Sequence, residues 1–455
     1  MNSRKPGKET RVGIIGGGYA GLTAAYELQK AGAKVFVFEK YGIWGGQAAT
    51  IPLFDTRIEI FYHHLFAGDR HIIGLMEELG ISDRLRWIDS KVGFFSHGKI
   101  YNFVTPIDIL TFSPLSLPNR LRLGITALYL QRLNNWKPLE KITAKEWILK
   151  HAGKAVYREV WGPLLRGKFG DMAEQVAMVW LWGKLKLRGE SRKGPMAKEK
   201  LAYPMGSFQI ITDALVNRLK SGGAEMYLNA EVKEIFTGKD PHKVGGVKLR
   251  GGKEIPLDAV IATLPNYAMA EISPPSIGAE FLSKLKATRY QAAIVLLMVS
   301  RKSLSHIYWL NIADREIPFV GIIEHTNYIP PKFYGGKHII YVTNYLDKDN
   351  PLYRMSPEEL FREYIPGIKK VNPDFEPDWI EKKFLFRAEA GQPVVTLGYS
   401  ERIPEHRTPI EGLYLANTSQ IYPEDRGTNY SVRLGQEIAR MVKEDLNLTG
   451  LTVTQ

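Results

Sequence analysis

Three glycines set between an apolar run and an amphipathic one are the residues most able to do chemistry. They stand in "RVGIIGGGYAGLTAAYELQKAGAKVFVFEK", Arg11 to Lys40, at Gly16, Gly18 and Gly21. Gly16 permits a tight turn. Gly18 lets backbone amides approach a pyrophosphate, and Gly21 lets helix and strand pack closely. Tyr19 and Ala20 complete the loop, whose amides face phosphate charge at a helix N-terminus. Glu39, followed by Lys40, is placed to accept hydrogen bonds from an adenosine ribose. This spacing does not separate NAD from FAD.

Other chemistry is sparse. His63 and His64 are either a satisfied loop pair or proton-transfer groups. No catalytic triad or metal-ligand cluster is recognisable, so no metal is expected. The chain has no cysteine, which excludes a disulfide framework, a redox-active cysteine pair, a thiolate metal site and a cysteinyl flavin link.

These residues need elements to hold them. Val12 to Ile15 reads as a buried parallel strand. Leu22, Ala25 and Leu28 recur at helical spacing and Gly32 ends that helix. Val35 and Val37 alternate as a second strand, closed by Glu39. This is a βαβ unit in the order the dinucleotide fingerprint requires.

After Glu39, "YGIWGGQAAT" places Gly45 and Gly46, where a second glycine pair lets the backbone turn along an extended cofactor. Here the chain resembles the FAD-binding family of flavin amine oxidases, protoporphyrinogen oxidases, carotenoid desaturases and UDP-galactopyranose mutases. Gly16, Gly18, Gly21, Glu39, Gly45 and Gly46 match its N-terminal signature. Gln47 stands where that family usually has arginine.

The resemblance implies an α/β fold: a Rossmann-like FAD-binding domain of glutathione reductase type, carrying an inserted α+β substrate-binding domain. The FAD-binding domain is then discontinuous, over 1–90, 205–270 and 390–455. The substrate domain takes 91–204 and 271–389. In "GAEMYLNAEVKEI", Val232 falls where the family presents backbone to adenine. "DAVIATLP", Asp258 to Pro265, resembles the strand that closes the dinucleotide-binding sheet; the "GGVKLRGGKEIPL" before it reads as a hairpin. Near the chain end, "EGLYLANTSQIYPEDRGTNYSVRLGQEIARMV" reads as a strand and a helix starting near Asn429. The family's strand ends in Gly-Asp, and Ala416-Asn417 replaces it here. Asn417 is expected to hydrogen-bond the ribityl or pyrophosphate region. Arg426, Gly427, Thr428 and Asn429 are expected near the pyrimidine edge of the flavin, where the helix dipole stabilises negative charge. FAD bound non-covalently is the implied cofactor.

The intervening half is aromatic. Trp147, Tyr157, Trp161, Phe169, Trp180 and Trp182 fall within one stretch, and the tryptophans are expected in the core. Thr143 and Glu146 form a capping box. "WGPLLRGKFG" resembles a segment ahead of the substrate cavity in protoporphyrinogen oxidases and desaturases, and "YPMGSFQIITDALVNRL", with Gly206, resembles the turn and helix that lead back to the cofactor domain. His64 with Phe66 and Asp69, and Pro106 to Leu110, resemble segments of UDP-galactopyranose mutases.

The leading reading is an FAD-dependent oxidoreductase that takes a hydride from an apolar substrate, by resemblance a polyisoprenoid, carotenoid or porphyrinogen. No catalytic residue is fixed; His64, Arg426 and Tyr430 are candidates. A mutase acting through reduced flavin would set Arg166, Arg289 and Arg426 around the cavity. An amine oxidase would use Tyr399 and Tyr430 as an aromatic cage. A flavin-binding scaffold without activity is the non-enzymatic alternative, for which the Gln47 and Asn417 departures leave room.

The 455 residues suit two joined domains, and 44% apolar residues fill a sizeable interior. Net charge is +13, which fits anionic lipid or a phosphorylated substrate. No nucleic-acid module is present and no nucleic-acid partner is expected. Charged residues occupy the place of a signal-peptide core, and the longest apolar stretch, Ala292 to Val299, is too short to span a bilayer. A cytoplasmic protein is expected, free or peripheral to the inner face of the membrane. In "PLSLPNRLRLGITALYLQRL", Leu121, Ile125 and Leu128 share one helix face; Leu123, Ala127 and Leu130 share another. That apolar surface is wide, so burial is expected. The basic stretch Arg188 to Lys200 reads as a solvated connector. Oligomeric state is not legible.

Overall fold

The parallel sheet that carries the glycine loop has five strands, ordered Glu225–Tyr227, Lys34–Phe38, Arg11–Ile15, Ala259–Ala262 and Leu413–Leu415. The computed structural model describes residues 9–190 and 199–448, so most of the basic stretch Arg188 to Lys200 lies outside the described residues. Val12, Ile14, Val35 and Val37 are fully or almost fully buried under helices on one face of this sheet, while Phe36, Phe38, Val260 and Ala262 on the other face share a core with the three-stranded sheet that includes Val232, Ile235 and Val247. In register, Ile15 lies between Phe38 and Ala262. All five strands therefore end on one edge, and the glycine loop leaves from that edge.

Two helices cover one face. The first, Tyr19–Lys30, buries Leu22, Ala25 and Leu28. The C-terminal helix, Thr428–Asp445, lies along it. Their approach is too close for side chains: a Cβ on Gly435 would sit 2.6 Å from the Ala20 carbonyl oxygen. A Cβ on Gly21 would sit 2.1 Å from the Gly16 carbonyl oxygen, so helix-on-strand packing requires glycine there. The expected hairpin is present as a three-stranded antiparallel sheet over Val232–Thr237, Val244–Leu249 and Glu254–Pro256, turned at Gly251 and Gly252.

The second layer is a seven-stranded sheet. Its order is Ile380–Pro393, Tyr290–Ser300, His338–Leu346, Gly321–Glu324, Trp309–Ile312, Val92–Ser96 and Lys99–Asn102. The apolar run Ala292 to Val299 is the middle of its long strand Tyr290–Ser300, buried on both faces. A helical subdomain packs on this sheet. Trp147, Trp161, Trp180, Trp182 and Phe169 fill its core, as their apolar bulk requires. The Thr143 hydroxyl accepts from the Glu146 amide at 3.1 Å and the Glu146 carboxylate accepts from the Thr143 amide at 3.1 Å, closing the capping box. The molecule is thus a Rossmann-like α/β unit with an inserted α+β unit.

One expectation is corrected. The helix Leu117–Arg132 is not buried on both faces. Leu123 and Leu130 enter the core, while Leu121 (50% exposed), Ile125 (66%) and Leu128 (46%) face outward. The helix lies on the outside of the subdomain, where it has a packing partner on one side only. Its neighbour Pro106–Thr111 also leaves Ile107 and Leu110 exposed, so the Pro106 to Leu110 segment forms surface and not cavity wall. Among the described residues, no helix is long and apolar enough to cross a membrane.

Candidate active site

The glycine loop is a cradle shaped by contacts that only glycine allows. Gly16 has φ +112°, and a Cβ there would sit 2.3 Å from Thr263 Oγ1. Gly45 has φ +110°, and Gly46 approaches so closely that a Cβ would lie 3.0 Å from Gly18 Cα. The Gly45 amide donates to the Gly17 carbonyl at 2.8 Å, so the second glycine pair is fastened to the first. Gly18 differs: a Cβ there meets the protein no nearer than 3.7 Å, at Gly46 Cα. Its lack of a side chain leaves room beside the helix N-terminus, which no side chain caps. Uncapped N–H groups there suit a pyrophosphate.

Glu39 is buried and its carboxylate is fixed by two amides, Gly17 N–H at 2.8 Å and Tyr41 N–H at 2.9 Å. A carboxylate has about four acceptor positions, so capacity for ribose hydroxyls remains. The segment leading to Val232 runs beside it: Glu39 N–H donates to the Tyr227 carbonyl and Ala230 N–H to the Glu39 carbonyl. Val232 is buried at the start of its strand. Lys40 is exposed, with its ammonium over the Tyr41 ring.

The other end of the cradle opens into a cleft of about 980 Å³, its mouth included. Gln47 enters it from the second glycine pair. Arg426, Gly427, Thr428, Asn429 and Tyr430 line it at the N-terminus of the C-terminal helix, again without a side-chain cap. His63, His64, Phe66 and Asp69 line it from another side, Tyr62, Trp309 and Tyr345 from the seven-stranded sheet side. The helix Met178–Glu190 contributes Lys184 and Leu187.

Burial keeps the imidazoles neutral. It pushes His64 down to about 3 and His63 to about 4. His64 Nδ1 pairs with the Tyr308 hydroxyl at 3.0 Å, and His63 Nδ1 with the Phe61 carbonyl at 2.6 Å. Burial raises Asp69 to about 7, although the Phe66 amide donates to it at 2.8 Å. Asp425 is the opposite case. Burial would raise it, but Lys184, Lys168 and Arg426 outweigh that and hold it ionised. Its carboxylate accepts from Trp180 Nε1 and Gln392 Nε2, both at 2.9 Å, and pairs with Lys184 Nζ at 2.7 Å.

Arg426 brings a guanidinium to the position where Gln47 replaces the family's arginine. Its three nitrogens donate to Gln47 Oε1 (3.1 Å), Gln392 Oε1 (3.2 Å) and the Tyr345 hydroxyl (3.1 Å).

Several expected residues do other work. Asn417 does not offer its side chain to a cofactor. Its amide donates to the Leu264 carbonyl and Asn266 Oδ1, and its oxygen accepts from Ser419 N–H and Oγ–H, which exhausts it. Asn429 lines the cleft, but its side-chain oxygen accepts from His71 and Ile72 N–H at the start of helix Arg70–Glu78. Of the three arginines expected around one cavity, Arg426 alone lines this cleft. Arg166 lies near Arg315 and Tyr157, and Arg289 lines a separate small cavity with Tyr399 and Arg402. The Tyr399 hydroxyl donates to the Ser419 carbonyl, so Tyr399 and Tyr430 form no cage. Lys168, Lys184, Tyr62, Tyr345 and Asp425 were not singled out from the sequence. Lys168 in "LLRGKFG" and Asp425 in "YPEDRG" flank residues that were; Tyr62 and Tyr345 carry no local signal. Among the described residues no group of three or more His, Asp or Glu could hold a metal ion.

Comparison with known proteins agrees with this architecture. Residues 19–424 match the family described as flavin containing amine oxidoreductase. Over 322 residues the chain is 24% identical to coproporphyrinogen III oxidase of Propionibacterium freudenreichii, covering 58% of this chain and 59% of that protein. Over 284 residues it is 25% identical to 15-cis-phytoene desaturase of Synechococcus elongatus, covering 56% and 58%. The matches thus span under two thirds of either relative. A solved structure from Exiguobacterium sp. 255-15, described as a candidate protoporphyrinogen oxidase, superposes with TM-score 0.76 at 18% identity, over 97% of this chain and 99% of that one. With the glycine cradle, the buried acid Glu39 at the end of the second strand and this match over most of its length, the chain belongs to the flavin containing amine oxidoreductase family, an FAD-dependent oxidoreductase by class.

Proposed function

We propose that the protein oxidises an apolar substrate, of polyisoprenoid, carotenoid or porphyrinogen type, drawn from a membrane surface. The carrying observation is an exposed apolar face on a helix that packs against a helix lining the cleft. Leu121, Ile125 and Leu128 of helix Leu117–Arg132, with Ile107 and Leu110 beside them, form that face. This helix packs on Met178–Glu190, which supplies Lys184 and Leu187 to the cleft; Lys186 Nζ donates to the Gln131 carbonyl at 3.1 Å. A patch of this kind on a protein of net charge +13 suits the headgroup layer of an anionic membrane. Arg122 is exposed beside it and Arg120 ties the two helices together through the Leu115 and Leu110 carbonyls.

Bound FAD supplies the two-electron acceptor. The glycine cradle and Glu39 would hold its dinucleotide half, and Arg426 with the uncapped C-terminal helix would face negative charge on its ring. Phe66, Tyr62 and Trp309 give the cleft an apolar stretch of wall beside its charged Lys168, Lys184, Asp425 and Arg426, and the neutral His63 and His64 add no charge to it. Such a wall excludes water and orients an apolar chain. The names of the coproporphyrinogen and phytoene enzymes support this substrate class. The mutase reading has less support, since it asks three arginines to share a cavity and one does.

The test is anaerobic bleaching of the flavin absorption. Phytoene or coproporphyrinogen III presented in anionic vesicles is expected to bleach it without any nucleotide sugar. Bleaching by neither, with turnover of a UDP-sugar after dithionite reduction, would replace this reading with the mutase.

A further inference from the structure

One end of the cleft carries more positive charge than its own acids can pair. Lys168, Lys184 and Arg426 line the cleft, against the carboxyl groups of Asp69 and Asp425. Short contacts join the three cations in a row. The Lys168 ammonium lies 4.1 Å from the centroid of the Tyr345 ring. Arg426 Nη2 donates to the hydroxyl of the same tyrosine at 3.1 Å. Gln392 bridges Arg426 to Asp425: its Oε1 accepts from Arg426 Nε at 3.2 Å and its Nε2 donates to Asp425 Oδ1 at 2.9 Å. Lys184 closes the row, 2.7 Å from Asp425 Oδ2.

The carboxylate in this row is already committed. Asp425 Oδ1 accepts from Trp180 Nε1 and Gln392 Nε2, and Oδ2 pairs with Lys184. Asp69 is turned to the Phe66 amide, 2.8 Å away. Among the described residues neither Lys168 nor Arg426 forms an ion pair. Lys168 stands over the Tyr345 ring, and Arg426 donates to the neutral oxygens of Gln47, Gln392 and Tyr345. Asp425 attracts both from farther away, but one carboxylate does not neutralise three cations. Lys168 and Arg426 are half-buried, where water screens charge poorly and an unpaired cation is costly. An arriving anion removes that cost.

The phosphates of a dinucleotide have the glycine cradle and its uncapped helix. Lys168 and Lys184 instead belong to the inserted unit, on helices Gly162–Phe169 and Met178–Glu190. They share the cleft with Phe66, Tyr62 and Trp309. Charge and apolar wall in one space suit a single ligand that has both characters. We infer that this end of the cleft takes an acidic group of the substrate, a carboxylate or a phosphate, at Lys168 with Arg426 and Lys184 beside it. The substrate is then an apolar body with an oxyanion attached, and a plain hydrocarbon fits poorly. The inference rests on the apolar-substrate reading above and narrows it.

The test is equilibrium binding to the FAD-loaded protein in micelles of a neutral detergent. Two acids are compared with their uncharged counterparts: coproporphyrin III with its tetramethyl ester, and farnesyl phosphate with farnesol. The acid is expected to bind about tenfold tighter or more in at least one pair, and the pair that shows it identifies the anion as carboxylate or phosphate. Lys168→Met should weaken that acid about tenfold and leave its counterpart within about twofold, and Lys168→Arg should keep most of the preference. Lys99→Met, on the exposed edge strand Lys99–Asn102, should change neither, which separates the cleft from the overall charge of +13. If Lys168→Met fails to fold, bound acid should still slow reductive methylation of Lys168 in the wild type, read by peptide mass spectrometry; an unchanged rate overturns the inference. Equal affinity of acid and counterpart in both pairs, or a preference that survives Lys168→Met, overturns it as well and leaves the apolar-substrate reading standing. A protein that prefers an acid through Lys168, yet whose flavin is bleached by neither phytoene nor coproporphyrinogen III, would sink that reading and leave the anion site standing.

Discussion

At the residue scale, two glycines of one motif serve different ends, and substitution separates them. Gly21→Ala puts a Cβ 2.1 Å from a backbone oxygen that cannot move without the strand. We expect it to cost about 1–3 kcal/mol of stability and to lower Tm with or without cofactor. Gly18→Ala meets nothing nearer than 3.7 Å, and its backbone (φ −81°) suits alanine. Its fold and the Tm of the apoprotein should be preserved, while FAD affinity falls about tenfold or more, read by equilibrium dialysis. Equal loss of Tm in both variants would refute this division. Glu59 gives a pH signature. It is fully buried, with Tyr203 and the Phe208 amide donating to it, and burial raises it to about 7 from an ordinary 4.5. A carboxyl raised on folding stabilises the protein below its unfolded value and loses that contribution as pH rises through the folded one. The window is therefore 4.5 to about 7, and a difference of that size corresponds to about 3 kcal/mol. Glu59→Gln should flatten the fall in stability across that window, measured by denaturant unfolding. An unchanged slope would show that other groups set it.

At the element scale, helix Leu117–Arg132 and the C-terminal helix illustrate opposite fates of an apolar surface. The C-terminal helix buries Val432, Ile438 and Val442 against the first helix, at a distance set by Gly435. Gly435→Leu would drive its Cβ to within 2.6 Å of the Ala20 oxygen. It should destabilise by about 1–3 kcal/mol and loosen the helix N-terminus that lines the cleft, read as lower Tm and lower flavin content together. Helix Leu117–Arg132 instead leaves its second apolar face outside. The double variant Leu121→Glu, Ile125→Glu should leave stability within about 0.5 kcal/mol, because neither side chain is in the core. Flotation with anionic liposomes should fall sharply. Unchanged flotation would remove this helix from the membrane contact.

At the scale of the whole molecule, the cleft is a product of two layers. The parallel sheet supplies the glycine cradle and, through the last helix, Arg426 to Tyr430; the inserted unit supplies Lys168, Lys184, Trp309 and Tyr345. The net charge of +13 also acts at this scale. Raising salt should weaken liposome binding progressively, since screening at ~8–10 Å erases contributions from exposed charges at physiological ionic strength. Binding indifferent to salt would leave the apolar face as its cause. The βαβ unit, the acid Glu39 that ends it, the closing strands and the flavin family were legible in the sequence. Each rests on local rules: strand and helix periodicity, and positions such as Gly16, Gly21 and Gly45 where backbone geometry admits one residue type. Asn417 and Asn429 were legible as neighbours of the site, but not the partners that absorb their side chains. Nor was the meeting of Arg426 with Gln47, or of Lys168 with Tyr345, because residues far apart in the chain carry no common period. Periodicity also found both apolar faces of helix Leu117–Arg132 without saying which would be covered. Tertiary structure decided these, because burial and charge pairing depend on what the rest of the chain brings to the same place, and that place is fixed only when the two layers close on each other.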